Sequence, residues 1–134
     1  MRTAVFAASL TLIAACAGTP ETPADVQAVR DYVEVAELEQ ADRIRTHGSD
    51  EWSPATHYFA LYKSRDGWYL LEFTRNCREL TDNTRVTPDR RYDHNVIRRG
   101  IDTLRGCRID KMYPLSEAQA QEIGALVQAT DSGN

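Results

Sequence analysis

Tyr58-Phe59-Ala60-Leu61-Tyr62-Lys63-Ser64-Arg65-Asp66-Gly67-Trp68-Tyr69-Leu70-Leu71-Glu72-Phe73-Thr74-Arg75-Asn76-Cys77 is the stretch whose reading decides the fold. Two runs rich in aromatic and aliphatic residues flank Asp66-Gly67, and glycine takes the positive φ of a tight turn at low cost, so the stretch reads as a β-hairpin. A two-residue Asp66-Gly67 loop sets Leu61 opposite Glu72 and Phe59 opposite Thr74, apolar against polar. A three-residue Arg65-Asp66-Gly67 loop sets Phe59 opposite Phe73, Leu61 opposite Leu71 and Lys63 opposite Tyr69, and this is the expected register. The expected core face is then Phe59, Leu61, Tyr69, Leu71, Phe73 and Cys77. The other face carries Tyr58, Tyr62, Trp68 and Leu70. A C-terminal helix covers these aromatics, or else Tyr58, Tyr62 and Trp68 form an exposed contact patch.

Toward the N-terminus, Arg2 precedes an apolar run from Ala4 to Ala15 that closes on Ile13-Ala14-Ala15-Cys16. About a dozen apolar residues fall short of the ~20 that a transmembrane helix needs. A basic flank followed by small residues marks a secretory signal. Small residues directly before a cysteine resemble the bacterial lipobox, in which that cysteine is lipidated and becomes the new N-terminus; Ile13 stands where leucine is commoner. No aspartate follows Cys16, which by resemblance to enterobacterial sorting points to the outer membrane, facing the periplasm. The expected organisation is a signal peptide over 1–15, a lipidated Cys16 with a tether over 16–23, and one domain over 24–130.

A domain of about 105 residues buries a single core with limited surplus, so an added covalent constraint matters. With Cys16 assigned to the anchor, Cys77 and Cys107 remain as an even pair in an oxidising compartment, and a disulfide between them is expected. No Cys-x-x-Cys suggests a redox thiol instead. The formal net charge is −4, and −5 once Arg2 leaves with the signal, which argues against a general nucleic-acid binder.

Thr22-Pro23-Ala24-Asp25 reads as a helix start with Thr22 as N-cap and Pro23 at the first helical position. Val26, Val29 and Val33 follow at helical spacing. Val33 and Val35 alternating with Glu34 favour a strand from about Tyr32 to Leu38 after a short helix, although the helix could also run on. Ile44 marks a short strand. Residues 46–54 read as a loop with a turn at Ser53-Pro54. The polar segment from Arg78 to Tyr92 reads as a long surface connection. Cys107 and Ile109 share parity and face inward on a strand that Pro114 ends. Ser116-Glu117-Ala118-Gln119 is a capping-box signature opening a packing helix with an Ile123, Leu126 and Val127 stripe. The fold expected is α+β: a small antiparallel sheet of about four to six strands, open or curled into a barrel, with a short N-terminal helix, a C-terminal packing helix and one disulfide.

The string Ile101-Asp102-Thr103-Leu104-Arg105-Gly106-Cys107-Arg108-Ile109, with Trp68-Tyr69-Leu70-Leu71-Glu72-Phe73 and Cys77-Arg78-Glu79-Leu80, resembles a family of small proteobacterial envelope lipoproteins whose domain has no assigned function. The resemblance spans roughly Tyr32 to Leu126. It implies the paired cysteines and the lipid anchor, and it brings no activity and no functional residues.

Three histidines, His47, His57 and His94, lack the spacing of a metal site, so neither a metal nor a cofactor is expected. Asp50, Ser53 and His57 lack a strained nucleophile turn and an oxyanion hole, so no catalytic residues are expected. Glu72 alternates onto the second hairpin face, where it is solvent-facing, paired, or a buried acid. Charge is divided unevenly: nine acids and three arginines lie between Glu21 and Glu51, against seven arginines and three aspartates between Arg85 and Arg108. The two segments pair across the fold, or Arg90, Arg91, Arg98 and Arg99 meet an anionic envelope component or an envelope protein. The function expected is a non-enzymatic binding or accessory module held to the membrane by its lipid, with a small envelope hydrolase, or an inhibitor of an envelope enzyme, as the alternative.

Overall fold

The structure is a computed structural model that describes residues 22–46, 51–82, 89 and 95–132. Along the chain lie α1 (Ala24–Val35), β1 (Arg43–Arg45), β2 (Glu51–Pro54), β3 (Phe59–Ser64), β4 (Gly67–Phe73), a 3-10 turn (Arg78–Leu80), β5 (Val96–Arg98), β6 (Thr103–Leu104), β7 (Cys107–Leu115) and α2 (Glu117–Asp131). Five strands pair antiparallel in the order β2-β3-β4-β7-β6 and curl into a half-barrel, while β1 and β5 form a separate two-stranded ribbon. The α+β class and the sheet size are those expected from the sequence.

The hairpin forms, in a different register. Ser64 faces Gly67, Leu61 faces Leu70 and Phe59 faces Glu72, so the loop is Arg65-Asp66 and not the expected Arg65-Asp66-Gly67. The Ser64 hydroxyl accepts from the Asp66 N–H at 3.1 Å, and Gly67, at φ 141°, takes a backbone conformation that side chains disfavour. Phe59 and Phe73 consequently point to opposite faces. The reason is that this sheet is covered on both sides: Phe59 to Tyr62 are four consecutive buried residues, so no single apolar face sets the register. On one side Phe59, Leu61 and Leu70 pack with Val26 and Val29 of α1 and with Ala120 and Ile123 of α2. On the other, Tyr62, Leu71 and Phe73 pack with Ile44, Ile97, Leu104 and Met112. The expected core face is therefore right for β4 and Cys77, and shifted by one residue on β3.

Helix α1 runs on through the region where a strand was favoured. Pro23, not Thr22, is its N-cap, without a side-chain cap bond. At the other end Glu37 adopts φ 49°, its N–H reaches the Glu34 carbonyl at 3.1 Å, and the Leu38 N–H reaches the Val33 carbonyl at 3.2 Å. This paired closure is a Schellman motif, with Leu38 folded back onto the core that Val33 also packs against. Burial of Val26 and Val29 outweighs the strand preference of branched residues.

Two further expectations change with tertiary context. Residues 51–54 are not loop: β2 pairs along β3, with Ser53 opposite Leu61, and Pro54 is tolerated because this is an edge strand. Pro114 does not end β7. The Met112 carbonyl accepts from the Ala41 N–H at 2.7 Å, so the backbone there points away from β4; two residues on, the donor that Pro114 lacks belongs to the same outer edge and not to the β4 ladder. A register shift sets Lys111 against Glu72 but Ile109 against Phe73, leaving Asp110 as the extra residue of a bulge. This is why Ile109 and Met112, of opposite parity, share one core. The polar segment after the hairpin begins with the 3-10 turn, in which Leu80 is buried.

Cys77 and Cys107 form the expected disulfide, their Cα atoms 6.1 Å apart. The capping box of α2 is complete: the Ser116 hydroxyl accepts from the Gln119 N–H at 3.2 Å, and the Gln119 side chain accepts from the Ser116 N–H at 2.8 Å.

Candidate anion-binding ribbon

In the β1–β5 ribbon Arg43 faces Arg98, Ile44 faces Ile97 and Arg45 faces Val96. The Arg99 N–H donates to the Asp42 carbonyl at 3.0 Å and the Thr46 N–H to the Asn95 carbonyl at 2.8 Å. Bonded and non-bonded pairs alternate in an antiparallel ladder, so Arg43 with Arg98 is a non-hydrogen-bonded pair, the kind in which side chains lie closest. Ile44 and Ile97 are each 1% exposed within the core, and the strand period of two turns Arg43, Arg45 and Arg98 to the outer side. Three arginine side chains thus share one side of this ribbon.

Neighbouring groups hold the ribbon in place. Asp102, 1% exposed, accepts from the Arg98 N–H at 2.6 Å and fixes the chain where it leaves β5. The Arg99 guanidinium donates to the Gln40 side chain at 2.7 Å and pairs with Asp42 at 2.8 Å. That ion pair is exposed on both sides, so it contributes only ~0.2–1 kcal/mol and exchanges readily with another anion.

Of the arginines singled out from sequence, Arg98 thus comes together with Arg43 and Arg45, Arg99 pairs with Asp42 at the end of the ribbon, and Arg90 and Arg91 lie outside the described residues. Arg43 and Arg45 were missed because they sit inside the acidic half of the chain; the alternation Arg-Ile-Arg was the available signal. Arg105 has a structural role. It and Gly106, at φ 49° and 79°, make the tight turn between β6 and β7. Its guanidinium lies over the Trp52 ring at 5.4 Å and donates to the Glu79 and Asp82 carbonyls, while its N–H is bonded to the Asp89 carboxylate.

Tyr58, Tyr62 and Trp68 do not make one aromatic patch. Tyr62 is fully buried in the core beneath the ribbon, whereas Tyr58 and Trp68 are partly buried on the helix-covered face. Ser53 and the His57 side chain are both exposed, and no hydrogen bond joins them. Cys77, Glu79 and Cys107 bring ligand-type atoms within 4.8 Å of one another, but the two sulfurs are joined and offer no thiolate. Cys16, His47, Asp50 and His94 lie outside the described residues. Among the described residues no helix is long and apolar enough to cross a membrane.

A family model described as "Family of unknown function (DUF6491)" matches residues 1–129. No curated protein and no solved structure matches the chain.

Proposed function

Since the chain belongs to a family of unknown function (DUF6491), whose membership brings no activity with it, we propose its function from its surface: it is a non-enzymatic, lipid-anchored module of the bacterial envelope that binds an anionic partner through the β1–β5 ribbon. The observation that carries this reading is Arg43 directly across from Arg98, with Arg45 beside them, on the outer side of the ribbon. The planar fork of each guanidinium suits a phosphate or carboxylate set between the two strands. The anchor rests on Ala14-Ala15-Cys16 at the end of the apolar leader, and would hold the domain at the periplasmic face of the outer membrane.

The wild-type chain should sediment with membranes and the Cys16→Ala chain should leave them. The released chain should bind phosphatidylglycerol vesicles or soluble polyphosphate, and not phosphatidylcholine vesicles, with capture falling as salt rises. The double variant Arg43→Ser/Arg98→Ser should lose about tenfold of that capture, a difference near 1.4 kcal/mol. Unchanged capture by the double variant would overturn this reading.

A further inference from the structure

A cleft of about 440 Å³ lies between α1 and the β4–β7 pair, within the size range of small-ligand sites. Val33 and Phe59 are the apolar residues along it. Arg30 and Glu34, one helical turn apart, form one wall, and Glu72, Lys111 and Tyr113 form the other. The bulge at Asp110 is what sets Lys111 beside Glu72.

The two walls offer charges in a particular arrangement. On the sheet wall both the Tyr113 hydroxyl and the Lys111 ammonium approach the same Glu72 oxygen, Oε2, each at 3.2 Å. Oε1 has no hydrogen-bond partner among the described residues, although the Glu72 side chain is only 12% exposed. A half-buried carboxylate oxygen with an open lone pair is an acceptor for an ammonium group. On the helix wall the Arg30 guanidinium is held over the Tyr58 ring at 5.6 Å, with no carboxylate among the described residues within ion-pair distance. Its planar fork suits a carboxylate.

We propose that this cleft binds a small zwitterion, an amino acid or the end of a short peptide, with the carboxylate on Arg30 and the ammonium on Glu72. The cleft carries two cations and two anions, and a ligand of one charge sign makes use of only one of the two opposed contacts, Arg30 or Glu72. A molecule carrying both charges engages both walls at once, its carboxylate on Arg30 and its ammonium on Glu72. This inference rests on residues separate from the ribbon.

Calorimetric titration of the full chain with dialanine, alanine, propionate and propylamine tests it. Saturable binding of dialanine or alanine at millimolar concentration, with neither propionate nor propylamine binding comparably, is the expected result. Arg30→Gln and Glu72→Gln should each weaken that binding about tenfold or more, while Arg43→Ser/Arg98→Ser leaves it unchanged. If Glu72→Gln does not fold, Arg30→Gln carries the test, because among the described residues this guanidinium engages an aromatic ring and no carboxylate. Absence of zwitterion binding, equal binding of propionate or propylamine, or full binding by Arg30→Gln would each overturn the proposal.

Discussion

Asp102 shows how much of the Asp-Thr-Leu-Arg-Gly-Cys-Arg-Ile string is architecture: one carboxylate oxygen takes the Arg98 N–H, and the whole residue is buried between β5 and β6. Arg105 in the same string accepts a left-handed backbone, roughly 1–2 kcal/mol unfavourable for a residue with a side chain, and in return ties Trp52, Glu79 and Asp82 together. Two tyrosines report on contacts between distant parts of the chain. Burial, the hydrogen bond to Glu122 at 2.6 Å and that carboxylate's charge push Tyr32 up to about 12. Burial, then the Glu72 charge and hydrogen bond, push Tyr113 up to about 12 as well. Both lie above the ordinary tyrosine value near 10, so the stability they contribute is complete below pH ~10 and is lost as pH rises through ~12. An alkaline absorbance titration of the phenolate band should therefore show Tyr32 and Tyr113 ionising late. Glu122→Gln should bring one of them back toward the ordinary value; six tyrosines titrating together would contradict these contacts.

The helices differ in how locally they are specified. Helix α2 has a reciprocal capping box, so Ser116→Ala should cost about 1 kcal/mol and lower Tm by about 4–8 °C. Helix α1 has no side-chain cap, so Thr22→Ala should leave Tm unchanged, and thermal melting of the two variants side by side checks the contrast. Element signals were legible where adjacent residues carry them, as Ser116 to Gln119 do, and as the two apolar runs around Asp66-Gly67 do. The end of α1 was not legible, because its Schellman closure uses Glu37 where glycine is the usual signal. Strand β2 was hidden for another reason: its polar residues are held by pairing with β3, not by propensity.

For the molecule as a whole, the disulfide joins the segment after β4 to the start of β7 across a separation of 30 residues. In the chain-entropy account this is worth about 3–4 kcal/mol, a large part of the 5–15 kcal/mol expected of a domain. Cys77→Ala/Cys107→Ala should lower the denaturation free energy by about 2–5 kcal/mol, measured by urea unfolding. A loss below about 1 kcal/mol would mean that the two cores hold without the crosslink. The half-barrel is sandwiched between the helix-side cluster and the ribbon-side cluster, so both hairpin faces are interior. The arginine ribbon and the cleft lie on opposite sides of this sandwich, since Ile44 and Ile97 belong to one cluster and Phe59 and Tyr113 to the other.

The amino-acid sequence alone determined the elements whose chemistry is local: a hairpin about Asp66-Gly67, a capped C-terminal helix, a cysteine pair and an α+β class. Tertiary structure decided which residues meet. Register was open because apolar side chains occupy both faces of β3, so only the surfaces pressing from α1, α2 and the ribbon choose among one-residue slips. The convergence of Arg43 with Arg98, and of Arg30 with Glu72, joins residues distant along the chain through strand pairing and helix docking, and no window of adjacent residues contains that information.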